Sequence, residues 1–299
     1  MDFLLNVDVN SNRGTELLVS WIQDVRGKIE DSSLGVNIDL SRCSFFQPIH
    51  MVLLACLIEE VYQKEETVVQ FEPPKNRTAL QYLENVRFFE YWNEGFNRKK
   101  YTKTKIDTSL CLWQIAQDMI DSYAIEARNH ASNNWLSDRD TSPIHLTMTE
   151  LFNNVIDHSN CNEKAYSHIQ YYPNICELRI CVGDFGIGLA QKIIEYFEDE
   201  NLEERSAVIR AFDKGFSTKS TPQNRGLGLD NIMTFANNFN GKIEVYCNSV
   251  AYHYSAENKQ TIINDLDVNF EGTLIQITLS TINLEHGYLE ELNEEFDLF

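Results

Sequence analysis

Glu150 and Asn154 stand four positions apart in the stretch Thr149 to Ser159, TELFNNVIDHS, and Asp157 and His158 follow at seven and eight positions from Glu150. On a helix this spacing puts a carboxylate and a carboxamide on one face, while Leu151, Val155 and Ile156 turn toward a core. Thr147 with Glu150 also fits a capping box, in which Glu150 does no more than close a helix start. Both readings are open on this stretch alone. A second stretch, VGDFGIG from Val182 to Gly188, ends a strand on Asp184 and turns on Gly186 and Gly188. An aspartate at a strand end can accept a hydrogen bond from an exocyclic amine, a contact that selects adenine. It also serves as an ordinary turn cap. In NRGLGLDNI, Gly226 and Gly228 precede a helix, whose free amides and positive dipole end suit phosphate oxygens.

These elements sit in a chain of 299 residues, comfortable for two domains, with 43% hydrophobic residues and therefore enough apolar mass for real cores. A formal net charge of −20 argues against a nucleic-acid backbone as the main partner. A nucleotide remains compatible with that charge, because magnesium and backbone amides can hold phosphates. The start, MDFLLNVDVN, has no basic segment ahead of a long apolar run, and no stretch reaches the length of a membrane span. The seven scattered cysteines, without a CxxC pair, predict reduced thiols, neither disulfides nor a metal site, and a cytoplasmic location.

Along the first hundred residues, strands are expected at Leu4 to Val9, Val36 to Leu40 and Thr67 to Phe71. Helices are expected at Gly14 to Ile29, Pro48 to Val61 and Asn76 to Tyr91. This alternation implies a small α/β layer domain. NRKKYTKTK, Asn97 to Lys105, breaks the pattern and reads as a solvated connector, dividing the chain into 1–97 and 98–299. Further on, Leu110 to His130 reads as one long helix, SNNWLSDRDTSP as a loop, and ICELRICVGDFG as a strand entering the glycine turn. Leu189 to Phe212 reads as helical, FSTKSTPQNRGLGL as a long loop, and Asp230 to Phe239 as a helix. GKIEVYCNS, VAYHYSA and TLIQITLS are expected as strands, with a polar separator around Glu257 to Asp267 before the last. The ending EHGYLEELNEEFDLF is acidic and reads as a solvated tail.

The order of the motifs carries more than any one of them. Glu-x-x-x-Asn on a helix is followed by Asp-x-Gly-x-Gly after a strand, then a polar loop ending Arg-Gly-Leu-Gly-Leu, then Gly272-Thr273 entering a strand. Over about Tyr101 to Ile282 this resembles the GHKL ATPases, the group of gyrase, the ninety-kilodalton heat-shock chaperones, histidine kinases and mismatch-repair ATPases. FDKGFSTK, Phe212 to Lys219, resembles the start of that family's ATP lid. The resemblance implies a Bergerat-fold α/β sandwich, with a mixed sheet and helices on one face. It implies ATP and Mg2+ as cofactors, Glu150 as the general base, and Asn154 as the magnesium ligand, with Asp157 on the same helix face. Asp184 would read the adenine amine with Thr273 helping, and Gly186 and Gly188 would line the base pocket. Ser217, Thr218, Lys219, Arg225, Gly226, Leu227 and Gly228 would form the lid. Phosphoryl transfer needs positioning and charge neutralisation above all, so this sparse set suffices chemically. His130 does not sit in a histidine-kinase dimerisation segment, which argues against that activity.

The first hundred residues resemble a STAS-like domain, through VNIDLSRCSFFQPIHMVLLACLIEEVYQK followed by TVVQF. Where regulated members carry an Asp-Ser-Ser-Gly phosphoacceptor, this chain has Gln47-Pro48-Ile49-His50, with Ser41 and Ser44 nearby. The expectation is a docking module without a phosphorylation switch, fused to a magnesium-dependent ATPase that acts as a conformational switch toward a protein partner. A homodimer is compatible with it. The alternative is a serine/threonine kinase of the anti-sigma type acting on a separate protein.

Overall fold

The computed structural model describes residues 5–8, 14–30, 35–63, 68–159, 165–199, 201–213 and 229–284, and only the backbone of residues 5–8, 30 and 156–159. The chain opens with β1 (Leu5–Asp8), α1 (Thr15–Glu30), β2 (Val36–Asp39), α2 (Pro48–Tyr62), β3 (Val69–Glu72), α3 (Arg77–Asn85) and α4 (Phe88–Tyr91). β1, β2 and β3 form a parallel sheet in that order, the pairing expected of strands joined by helical crossovers. After a packed strap come β4 (Trp113–Gln114), α5 (Ile120–Asn134), α6 (Ser142–Ser159), β5 (Tyr166–Tyr172), β6 (Glu177–Asp184), α7 (Leu189–Phe197), α8 (Glu204–Ala211), α9 (Leu229–Asn238), β7 (Lys242–Ser255) and β8 (Gln260–Ser280). Their strands form a second sheet in the order β4-β5-β6-β8-β7.

The mixed α/β class therefore stands, with a correction to the sheet. Every described pairing in the second sheet is antiparallel, and parallel pairing is confined to β1, β2 and β3. Nor are helices restricted to one face. Along β6, Leu178, Ile180 and Val182 pack into the core shared with α5 to α9, while Cys181 joins the core shared with α1 and α2. Both faces of this sheet are thus apolar and covered, as the period-two alternation of two different cores requires.

α2 explains how the layers hold together. It is apolar all round, and nearly every residue from Pro48 to Val61 is buried. A helix without a polar face must be enclosed. α2 lies against β3 of the first sheet and against β5, β6 and β8 of the second. Two polar ties, one from α2 and one from α3, also join the first layer to β5. The Tyr166 hydroxyl donates to Glu59 Oε2 (2.5 Å), which Arg98 also approaches (3.3 Å). The Tyr82 hydroxyl donates to Gln170 Oε1 (2.9 Å) and meets His168 Nε2 (3.0 Å), and burial pushes the His168 imidazole down to about 3, so it stays neutral.

Several expected elements differ. The Asn97–Lys105 stretch is solvated at Asn97, Lys100, Lys103 and Lys105, but it is also tied down: Arg98 lies over the rings of Tyr62 and Trp92, and Trp113 Nε1 donates to the Lys99 carbonyl (2.9 Å). The helix expected over 110–130 begins only at Ile120, because Leu110 to Ile115 run extended along β5. The helix over 76–91 is broken at Arg87, and that over 189–212 at Glu198, each in the left-handed region (φ 63° and 51°). β5 was not expected as a strand at all. The polar separator at 257–267 is largely strand, the outer half of a long β7–β8 ribbon.

Candidate functional site

α6 carries the first pair of site residues. The helix begins at Ser142, whose amide donates to the Asp140 carboxylate (2.9 Å); the Ser142 side chain first, and this amide next, hold the Asp140 carboxyl below its usual range. Thr147 and Glu150 are therefore interior, and the capping-box reading of Glu150 is overturned. Met148, Leu151, Phe152 and Val155 enter the core, and that anchoring turns the 150/154 face outward from the helix bundle. Asn154 is 8% exposed, and its Nδ2 donates to Glu150 Oε1 at 3.2 Å. With the amide NH2 committed to Glu150, the Asn154 carbonyl oxygen is the atom left for a hard cation. That suits magnesium, which takes few protein oxygens and keeps waters and phosphates as its other ligands. Among the described residues no cluster of His, Cys, Asp and Glu could hold a metal by itself.

β6 delivers Asp184. It stands opposite Thr273 of β8 in register, and paired residues share a sheet face. Its Oδ1 accepts from the Gly186 amide (2.7 Å), which shapes the turn, while its Oδ2 is buried without a hydrogen-bond partner. Asp184 is 1% exposed. Burial pushes its carboxyl up to about 7, against the Gly186 amide, the Arg26 charge and the Thr273 amide, which pull it down. An unpaired buried carboxylate oxygen is costly unless a donor arrives. A narrow cleft of about 10 Å³, room for one water, is lined by Asn154, Val155, Leu189, Leu229, Ile275 and the Thr273 that pairs with Asp184.

Two glycines make this geometry possible. Gly272 has φ +146°, and a Cβ there would overlap the Asp184 carbonyl, so β8 can lie close only as glycine. Gly188 has φ +85°, and a Cβ would strike the Asn248 side chain. Asn248 is a residue that motif reading did not find. It sits at the β7 bulge with φ 50°, donates from Nδ2 to the Ile187 carbonyl (3.0 Å), and accepts from the Gln191 amide (3.3 Å). It thereby fastens the glycine turn to the start of α7. The sequence signal was an asparagine next to last in the strand reading GKIEVYCNS, a residue that tolerates left-handed backbone. Gly188→Ala is expected to destabilise the protein by ~1–3 kcal/mol and to weaken ligand binding at the cleft, with a lower urea midpoint as the measurement. An unchanged midpoint would contradict this account of the turn.

The fold thus brings together Glu150, Asn154, Asp184, Gly186, Gly188 and Thr273. Asp157 is described only as backbone in α6. Ser217, Thr218, Lys219, Arg225, Gly226, Leu227 and Gly228 lie outside the described residues.

Residues 139–281 match the family model described as "Histidine kinase-, DNA gyrase B-, and HSP90-like ATPase", a segment that includes every described site residue named above. An ATP-binding domain of this type is supported over that segment. Among solved structures, the chain is similar to the topoisomerase IV ATP-binding domain of Francisella tularensis in complex with a small-molecule inhibitor. Identity is 14%, over 61% of this chain and 46% of that one, with a TM-score of 0.29, too low to decide anything further. The chain spans less than half the length of that structure. No curated protein matches. Among the described residues no helix is long and apolar enough to cross a membrane.

Proposed function

We propose that the protein binds ATP with magnesium and hydrolyses it as a conformational switch toward a protein partner. The observation that carries this is the buried, partnerless Asp184 Oδ2, on the strand position paired with Thr273, which lines one cleft with Asn154 of the Glu150–Asn154 pair. Asp184 accepts the adenine amine, and Thr273 flanks it. The Asn154 oxygen holds Mg2+, whose charge offsets that of the phosphates. Glu150 orients the attacking water and takes its proton. Residues Ser217 to Gly228, with Arg225, Lys219 and the glycine amides, close over the phosphates and keep bulk water out.

The N-terminal parallel layer, residues 1–97, is in this reading a STAS-like docking module, and 98–299 the nucleotide-binding unit. Gln47-Pro48-Ile49-His50 begins α2, where Pro48, Ile49 and His50 are buried and Gln47 Oε1 accepts from Arg179 Nη1 (2.8 Å). That end of α2 therefore offers no hydroxyl to a kinase, which favours water as the phosphoryl acceptor. The reading goes with a cytoplasmic location, where ATP is abundant and thiols stay reduced, and it allows a homodimer.

Purified protein with γ-labelled ATP should release free phosphate and stay unlabelled itself. Negligible release alone, with label on a serine or threonine of a copurifying protein, would replace the switch with an anti-sigma-type protein kinase. Asn154→Ala should weaken ATP binding in the presence of Mg2+ while leaving magnesium-free ADP binding nearly unchanged, as calorimetry would read. Equal losses in both conditions would remove Asn154 from the metal role.

A further inference from the structure

We infer that Arg26, on α1 behind the second sheet, is a positioning residue for the base end of the site, acting through the two chain segments that carry Asp184 and Thr273. The inference rests on the nucleotide reading above and adds the residue by which the N-terminal layer shapes the base pocket.

Arg26 is 6% exposed although it belongs to a helix of the N-terminal layer. Its guanidinium is committed on every side. Nε and Nη2 donate to the two Glu60 oxygens (2.8 and 3.0 Å), a bidentate pair that ties α1 to α2. Nη1 donates to the Glu271 carbonyl (2.7 Å) and to Gln23 Oε1 (3.1 Å). Its carbon lies 4.3 Å from the centre of the Phe185 ring, whose edge-on neighbour is Phe270.

These contacts fall on two short segments. Phe185 immediately follows Asp184, and Glu271 precedes Gly272 and Thr273. Gly272 is the residue whose backbone lies so close to the Asp184 carbonyl that no side chain fits. Arg26 thus pins β6 at its end and β8 at its crossing, from the face opposite the cleft. A planar fork can hold a carboxylate, a carbonyl and a ring at once; a lysine ammonium cannot. The guanidinium charge also acts on Asp184 from behind, favouring its carboxylate form.

A clamp between layers and a positioning residue make different predictions. A clamp affects stability and all ligands alike. A positioning residue changes how well the pocket distinguishes bases. The probes are ADP and IDP without magnesium, since hypoxanthine carries a carbonyl where adenine carries the amine. Wild-type full-length protein should prefer ADP. Arg26→Met should lower the ADP:IDP affinity ratio by roughly tenfold, the scale of one misaligned hydrogen bond. Arg26→Lys should recover only part of the ratio, and Glu60→Gln should shift it in the same direction by less. A cooperatively folded Arg26→Met protein with the wild-type ratio overturns the inference. If that variant does not fold, wild-type ratios in both Arg26→Lys and Glu60→Gln overturn it. A wild type that binds ADP and IDP equally removes the reading of Asp184, and this inference with it.

Discussion

Asp184→Asn is expected to abolish adenine selectivity and, at the same time, to stabilise the nucleotide-free protein above neutral pH. The asparagine oxygen can still accept from the Gly186 amide, so the turn survives. Its NH2 then stands where the partnerless Oδ2 stood, and a donor meets the donor of adenine. The loss should be about 10–100-fold in ATP affinity, the worth of one buried hydrogen bond to a charged group. ATP should bind the wild type far better than GTP, and the variant should lose that difference. Stability moves the other way. Burial pushes the Asp184 carboxyl up to about 7 in the folded protein, against 3.8 for a free aspartate side chain. Between those values the folded state holds a proton that the unfolded state has released, so stability falls as pH rises through that window and stays low above it. Asparagine has no such loss. The gap in melting temperature between variant and wild type should open between pH 4 and 7 and stay constant beyond. ATP affinity of the wild type should instead rise through pH 7, because the amine needs the carboxylate. A wild type that binds GTP as well as ATP, or melting curves whose gap does not depend on pH, would count against this assignment.

Glu150→Gln should bind ATP as the wild type does and lose ~10²–10⁴-fold in turnover. Glutamine keeps the oxygen that receives the Asn154 amide, so the orientation of Asn154 is retained while the base is removed. This makes glutamine a cleaner test than alanine, which would also release Asn154. Single-turnover hydrolysis beside equilibrium binding separates the two effects. Hydrolysis at the wild-type rate would leave Glu150 a role in orienting Asn154 and no role in the chemistry.

The site was legible where its geometry is local. Glu150 and Asn154 meet because four residues make about one helical turn, and Asp184 shapes its turn by bonding an amide two residues on. Both relations are written in spacing. Failures cluster where distant contacts chose between local alternatives. Leu110 to Ile115 have helical periodicity, yet they run extended because β5 offers an open edge and Trp113 can stack on Tyr123 (3.7 Å). Arg87 and Glu198 break their helices with left-handed backbone at residues that carry no glycine or asparagine signal. The capping box at Thr147 and Glu150 was chemically sound, but Asp140 starts the helix earlier.

By itself the sequence determined the ordered motifs, the alternating elements of the N-terminal layer, and the fact that α2 must be enclosed. The last follows because an apolar helix has no face to offer water. What encloses α2, and that both faces of the second sheet are consumed, only the tertiary structure decided. So too with Arg26 and Asn248, whose partners lie 245 and 61 positions away at Glu271 and Ile187. Apolar patterning states that a surface is buried and not what buries it, and a side chain's distant hydrogen bonds leave no trace in its neighbours along the chain.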